Sequence, residues 1–228
     1  FRSHLVMVVT ECDREQQQDN SLPYVELCFS VIGQTLPADH GYALYSAIAH
    51  CQKELHNLAG VSIQTLQGIP DKQGVIHLSD RSQLRIRLPG DKVPLVYPLA
   101  GKQLTIGKHS IRLGIPQIFV LQPAPRLRSR IVIIKGFQEP DTFLVAAKRQ
   151  LDDLQIQGNL TIPLNEEGEL SRKAIKVKTF SVVGFSLEVT DLNEYDSIKL
   201  QALGLGGKHR MGCGIFNALP RAWRFDNV

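Results

Sequence analysis

Twice along this chain, a strand-forming run leads into one amphipathic helix and then into several shorter strand-forming runs. That order restricts the fold more than any other feature. Strands outnumber helices, and a few helices on one face of antiparallel sheets give an α+β fold. Two copies of a split β-α-β unit account for both passes. In the first pass, Tyr24 to Ile32 is rich in β-formers and Gly33 to Pro37 reads as a turn. Asp39 then stands as the N-cap of a helix reaching about Leu58, with Leu44, Ala47, Ile48, Cys51 and Leu55 at helical spacing. Strands at 62–66, 75–78 and 83–88 follow; Pro89, Gly90, Pro94 and Pro98 break the chain, and 102–113 reads as a hairpin turning at Gly107. The second pass opens with a strand over 127–135 and a helix from Pro140 that puts Phe143, Leu144, Ala147 and Leu151 on one face. An antiparallel pair over 173–180 and 182–190, a short helix near 193–203 and a last strand from Ile215 complete it. The repeat is architectural, with no shared sequence period.

These signals divide the chain into a mobile N-terminal segment 1–21, an N-terminal domain 22–114, a linker 115–126 in a proline-rich stretch, and a C-terminal domain 127–228. The composition is that of a globular protein, 43% hydrophobic and 21% charged. Cys12, Cys28, Cys51 and Cys213 form no C-x-x-C pair, which speaks against a structural zinc site and a secreted disulfide scaffold and points to the cytoplasm. No apolar run approaches the roughly 20 residues that span a bilayer, and Leu5 to Val9 is too short for a signal peptide. A net charge of +4 permits a polyanionic partner without demanding one.

The segment 204–214 concentrates the chemistry. Five glycines in eleven residues surround Lys208, His209 and Arg210. Glycine allows close backbone approach and positive φ, successive amides can form an anion-binding nest, and two cations add to it. The spacing fits neither a P-loop nor a dinucleotide fingerprint. Gly204, Gly206, Gly207, Lys208, His209 and Arg210 are therefore candidate phosphate contacts.

This segment, GLGGKHRMGCGIF, resembles the glycine-rich loop of the CRISPR repeat-RNA endoribonucleases of the RAMP superfamily, and YVELCFSVIG, LPADHGYALYSAI, LRIRLP, YPLAGK and IRLGIPQI extend the resemblance over most of 24–216. The resemblance implies two ferredoxin-like (RRM-like) domains in tandem. It implies cleavage of CRISPR precursor RNA within the repeat, with no metal or other cofactor. It also implies that the protein stays on the cut RNA among the other subunits of a Cascade-type complex. The family's catalytic histidine lies at or near the first helix, and His40 matches it. A helix N-terminus attracts phosphate and disfavours imidazolium, so His40 at an open helix tip is expected to stay neutral and accept the proton of the RNA 2′-OH. The products would be a 2′,3′-cyclic phosphate and a 5′-OH. Tyr45 and Lys53 are the assisting candidates, beside Tyr42, Lys208 and His209; His4, His50, His56, His77 and His109 read as surface or core residues. The scattered acids and the lack of H-x-x-x-H or H-E-x-x-H give no metal site.

Cations recur at every second position in several strands: Arg85 and Arg87; Arg126, Arg128 and Arg130; Arg172, Lys176 and Lys178. Period two places each set on one face of its sheet, so these residues are expected to line an RNA-binding surface. With only 7% aromatic residues, backbone grip is expected to outweigh base stacking. The second function class is a non-catalytic RNA-binding subunit that caps guide RNA in a CRISPR effector or transposon complex; a third is a generic RNA-binding module.

Overall fold

The computed structural model describes residues 23–219. The expected segment 1–21, with Cys12 and His4, lies outside them. In the first half the elements are β1 (Tyr24–Ile32), β2 (Thr35–Pro37), α1 (Gly41–Cys51), β3 (Ser62–Ile63), β4 (Ile69–Pro70), β5 (Val75–His77), β6 (Gln83–Pro89), α2 (Val93–Val96), β7 (Gln103–Ile106) and β8 (His109–Val120). The second half gives β9 (Leu127–Val132), α3 (Pro140–Asp153), β10 (Asn159–Thr161), β11 (Arg172–Val177), β12 (Phe180–Thr190), α4 (Glu194–Leu203) and β13 (Phe216–Ala218).

The two main sheets share one topology. The first runs β3-β6-β1-β8-β7 and the second β10-β12-β9-β13. Numbering the strands of each half in chain order, without the appended β7 and without β11, which pairs with β12 off this path, both read 2-3-1-4, the split β-α-β arrangement of a ferredoxin-like domain. The fold is thus α+β with two ferredoxin-like halves in tandem. Each half buries its own core. Leu27 and Phe29 of β1, Leu44 and Ile48 of α1, and Leu84, Ile86 and Leu88 of β6 are almost wholly enclosed in the first. Phe143 and Leu151 of α3, Phe185 and Leu187 of β12, Leu200 of α4 and Phe216 of β13 fill the second, where the Phe143 and Phe185 rings pack at a tilt with centroids 4.9 Å apart.

Several local expectations need revision. Helix α1 begins one residue after His40 and ends at Cys51; a 3-10 turn over Lys53–His56 follows, rather than helix to Leu58. Asp39 does not cap α1: its Oδ2 accepts from the Lys176 amide of β11 at 2.6 Å. Residues 90–99, read as broken by proline, form helical turns with Pro94 and Pro98 at their starts, where a missing N–H costs nothing. They occupy the chain position of a second crossover helix. The first six residues of the expected linker 115–126 belong to β8, which runs to Val120 against β1. The small sheet β2-β5-β4 was not fully foreseen; its strands of two or three residues are too short for a periodicity to register.

Candidate active site

The start of α1 and the glycine-rich loop meet. A Cβ on Gly41 would stand 2.4 Å from the Met211 carbonyl oxygen, so glycine is needed for the contact. The tip is therefore closed, which corrects the expected open imidazole. His40 is 1% exposed. Its Nδ1 donates to the Pro37 carbonyl at 2.7 Å, and its Nε2 accepts from the Leu66 amide at 3.0 Å. Those partners define the neutral tautomer and leave neither nitrogen for a substrate. Burial pushes its pKa below the ordinary histidine value, against the opposing pull of the Pro37 bond and Asp39, and nearby Arg130 lowers it further. His40 ties the 37–41 turn to the chain at 66.

The loop's glycines serve packing more than a nest. Gly204 amide bonds to Leu200, Leu205 to Gly214, Gly207 to Ile133 and Gly214 to Ile131, while the Gly206 amide takes the Gln150 side chain. A Cβ on Gly206 would meet the Ile133 oxygen at 2.4 Å, and one on Gly214 the Leu205 oxygen at 2.1 Å. The backbone is thus laced directly onto β9 and its extension, which leaves the 208–210 stretch to project. His209 turns back onto the loop, its Nε2 donating to the Leu205 carbonyl at 3.3 Å, with burial lowering its pKa. Arg210 donates to the carbonyls of His56 and Leu58, so its fork is committed to backbone. Lys208, held at φ 63°, has no ion-pair partner among the described residues.

Between α1, the 56–61 segment and this loop lies a cleft of about 350 Å³ lined by Tyr45, Gly60, Val61, Lys208, His209 and Arg210. His56 is not in that lining but is tied to Tyr45, which is: Tyr45 Oη and His56 Nδ1 are 2.8 Å apart, and the rings stack with centroids 6.1 Å apart. His56, read from sequence as a surface or core histidine, is exposed, with Nε2 directed to no protein partner among the hydrogen bonds of the described residues. Nothing in the sequence marks the pair, because Tyr45 and His56 are joined only when the chain bends after α1. Lys53 heads that turn, exposed and outside the cleft lining. Tyr42 and His50 face the other side of α1, against Gln103 and Thr105. Among the described residues no three His, Cys, Asp or Glu side chains gather as metal ligands would, and no helix is long and apolar enough to cross a membrane.

The cationic strands separate into different roles. Arg87 is 2% exposed and is no RNA contact. Its Nη1 donates to the Gln201 and Phe216 carbonyls at 2.7 and 2.9 Å, and its Nη2 to Glu26 Oε2 and Asn217 Oδ1, each at 2.9 Å. Gln64 also reaches Glu26 and Asn217. This network clamps β13, and hence the end of the glycine loop, onto the first sheet. Arg85 points outward beside Glu26 at 3.5 Å. Arg126 and Arg128 share Glu188 as a partner at 3.8 and 3.5 Å, and Arg130 is exposed. Lys173, which the alternation argument passed over, sits close to them: partial burial first, then Arg130 and Arg128, push its pKa down. By strand alternation Arg172 and Lys176, both exposed, lie on the opposite side of β11 from Lys173, and Lys178 lies in the turn that follows at φ 56°.

The chain matches the family described as "Cas6 Crispr" over residues 25–220. It is 31% identical over 227 residues to the CRISPR-associated endonuclease Cas6 of Myxococcus xanthus (strain DK1622), an alignment covering 100% of this chain and 95% of that protein. It is also similar to the solved structure of a Cas6-related protein from Pyrococcus furiosus, with TM-score 0.61 at 14% identity over 87% of this chain and 100% of that one. A second solved structure, described as CRISPR associated protein Cas6, gives 0.59 at 14% identity over 86% and 99%. At these identities the structural likeness speaks for the tandem fold alone.

Proposed function

This chain belongs to the Cas6 CRISPR family, and from that premise we propose that it binds the repeat of a CRISPR precursor RNA and cuts it without a metal. The observation that carries the reading is that Tyr45, hydrogen-bonded to the exposed His56, lines one cleft together with Lys208 beside the glycine loop. In the cut, the 2′-oxygen forms a bond to the adjacent phosphorus and the bond from phosphorus to the 5′-oxygen breaks. One proton leaves the 2′-OH and one joins the departing 5′-oxygen. His56 suits either transfer. With its Nδ1–H donated to Tyr45 Oη, the Nε2 of the neutral ring is a free base; in the imidazolium the same Nδ1–H bond is kept and Nε2–H is the acid. Tyr45 fixes the ring and its tautomer. The Lys208 ammonium offsets the charge that develops on the phosphate oxygens. The products are a 2′,3′-cyclic phosphate and a 5′-OH. His40 and Arg210 act as positioning residues, and Lys53 stays outside this assignment. After cleavage the protein remains on the repeat as a subunit of a Cascade-type complex.

The closed environment of His40 favours a second reading, an RNA-holding subunit that does not cut. Incubating the protein with its repeat RNA in EDTA separates the two. The proposal expects cleavage with cyclic-phosphate ends, blocked by a single 2′-deoxy substitution at the cut site, and slowed about 10²–10⁴-fold by His56→Ala. Tight binding with no cleavage establishes the second reading, and a requirement for added divalent metal overturns the chemistry.

A further inference from the structure

The face of the second sheet that carries Arg128 and Lys173 also carries an aromatic ring that the fold leaves unused. Strands β11 and β12 turn back through Lys178 and Thr179, and Phe180 opens β12 at that tip. Phe180 is 72% exposed, more than any other phenylalanine or tyrosine among the described residues. In the strand register Ile175 stands opposite Val182, and Val177 opposite Phe180. Ile175, Val177 and Val182 belong to a small apolar patch with Ile131, Ile133 and Cys213. Alternation puts Phe180 on the same side as Val182, one step past the end of the patch, so its ring prolongs an apolar strip into solvent.

The tip is held in place. The Lys176 amide donates to Asp39 Oδ2 at 2.6 Å, which pins β11 to the turn that enters α1. The glycine loop packs on the first residue of the same helix, and its Cys213 lies in the same patch. The tip is thereby tied to the turn that enters α1 and, through the apolar patch, to the glycine loop that borders the proposed cutting site. Exposed Lys178 stands in the adjoining turn, and Lys173, on the same face as the ring, lies four residues back along β11 from Val177. The acids nearby are engaged: Glu188 by Arg126 and Arg128, and Asp39 by the Lys176 amide.

We propose that Phe180 is a stacking platform for one unpaired nucleobase of the bound RNA, beside the linkage that is cut. The inference rests on the reading of this chain as a repeat-RNA binder and adds a base contact to a surface expected to grip backbone alone. A flat apolar ring set among unpaired cations fits a nucleotide, because every base offers a π-face and the lysines meet its phosphates. Stacking also suits a chain with few aromatics, since one well-placed ring fixes one base.

The test is equilibrium binding of repeat RNA to the full chain and to Phe180→Ala, Phe180→Leu and Phe180→Trp. Stacking on one base predicts roughly 10-fold weaker binding for Phe180→Ala. It predicts no recovery with Phe180→Leu, which is apolar but not flat, and near-parental binding with Phe180→Trp. Because every cation that meets a phosphate is still present, the slope of log affinity against log salt stays unchanged. A single abasic nucleotide flanking the cut site should weaken the parent by a similar factor and leave Phe180→Ala unaffected. Thermal unfolding of the variants should match the parent, as the ring lies in solvent. Parental affinity in Phe180→Ala, or full recovery in Phe180→Leu, overturns the inference; the first would fit a tip that meets a protein. If the parent itself does not bind repeat RNA, the functional reading fails first and this inference with it.

Discussion

The two sheets have the same strand order and both carry alternating cations, yet they use them in opposite ways. On β6, Arg85 reaches water while Arg87, two residues on, lies beneath the second half and holds four protein acceptors. On β9, Arg128 and Arg130 remain accessible and crowd Lys173. The open face of the first sheet has become an interface, and that of the second has stayed a surface. The difference teaches that period two tells which side of a strand a cation takes and says nothing of what covers that side. An identical pattern can build a clamp or a groove.

The sharpest way to break this contrast is Arg87→Ala. The change strands Glu26, two carbonyls and Asn217 in a closed interface, and removing one member of a buried pair typically costs about 3–5 kcal/mol. Urea unfolding should show that loss, and Arg87→Lys should recover little of it, since a point charge on a flexible stem cannot replace a planar fork. If Arg87 instead gripped RNA, Arg87→Ala would leave unfolding unchanged and reduce the salt dependence of binding.

His40 gives the next effect in size. Its alanine variant leaves the Pro37 carbonyl and the Leu66 amide without partners, at about 1–3 kcal/mol for each group kept from water. The pH dependence has a definite sign. Burial lowers the folded-state pKa of His40 and also that of His209, so below about pH 6.5 the unfolded chain takes up protons that the folded chain refuses. Stability is full above that value and falls as the pH drops through it. Melting temperature measured from pH 7.5 to 5.5 should decline, and less steeply in His40→Gln. Equal slopes would mean that His40 is open to solvent and protonates in the folded state, as a histidine at an exposed helix tip would.

Much of the architecture was legible because it rests on long periodic segments. The strands from Tyr24 and Leu127, the helix from Pro140 and the hairpin at Gly107 all occur where the pattern placed them. The tandem α+β fold follows from their order. The glycine loop stood out because charge and glycine coincide there, but the reason for the glycines, close contact with β9, depends on a strand about 75 residues earlier in the chain. The same holds for the site. Tyr45 was within reach as a helix residue, whereas its pairing with His56 depends on the bend after Cys51, and the burial of Arg87 depends on β13, the last strand described. Local pattern sees faces and turns; it is blind to contacts made between halves.

The groove predicts a smaller effect, and one that depends on salt. Removing Arg130 and Lys173 together should leave unfolding unchanged, because neither supports a core. It should weaken repeat-RNA binding and lower the slope of log affinity against log salt by about 0.7 for each phosphate no longer neutralised. The same measurement on Arg172→Ala and Lys176→Ala, which lie on the other side of β11, sharpens the comparison within one strand. If those variants change the slope as much as Lys173→Ala does, RNA wraps the edge of the sheet instead of lying along one face.

Arg85→Ala should have the smallest effect of all, and for that reason it isolates the cause of the Arg87 effect. The two side chains share a strand, a face and a carboxylate, with Arg85 3.5 Å and Arg87 2.9 Å from Glu26. Only their cover differs: the Arg85 side chain is 47% exposed and that of Arg87 2%. With the Arg85 end half in water and 3.5 Å from a carboxylate that Arg87 already neutralises, this pair contributes at most about 1 kcal/mol, screened by salt, so urea unfolding of Arg85→Ala should lie close to the parent. Should Arg85→Ala cost as much as Arg87→Ala, the charge on Glu26, and not enclosure by the second half, would be what makes Arg87 indispensable. The clamp would then be an ion-pair network of the first sheet alone.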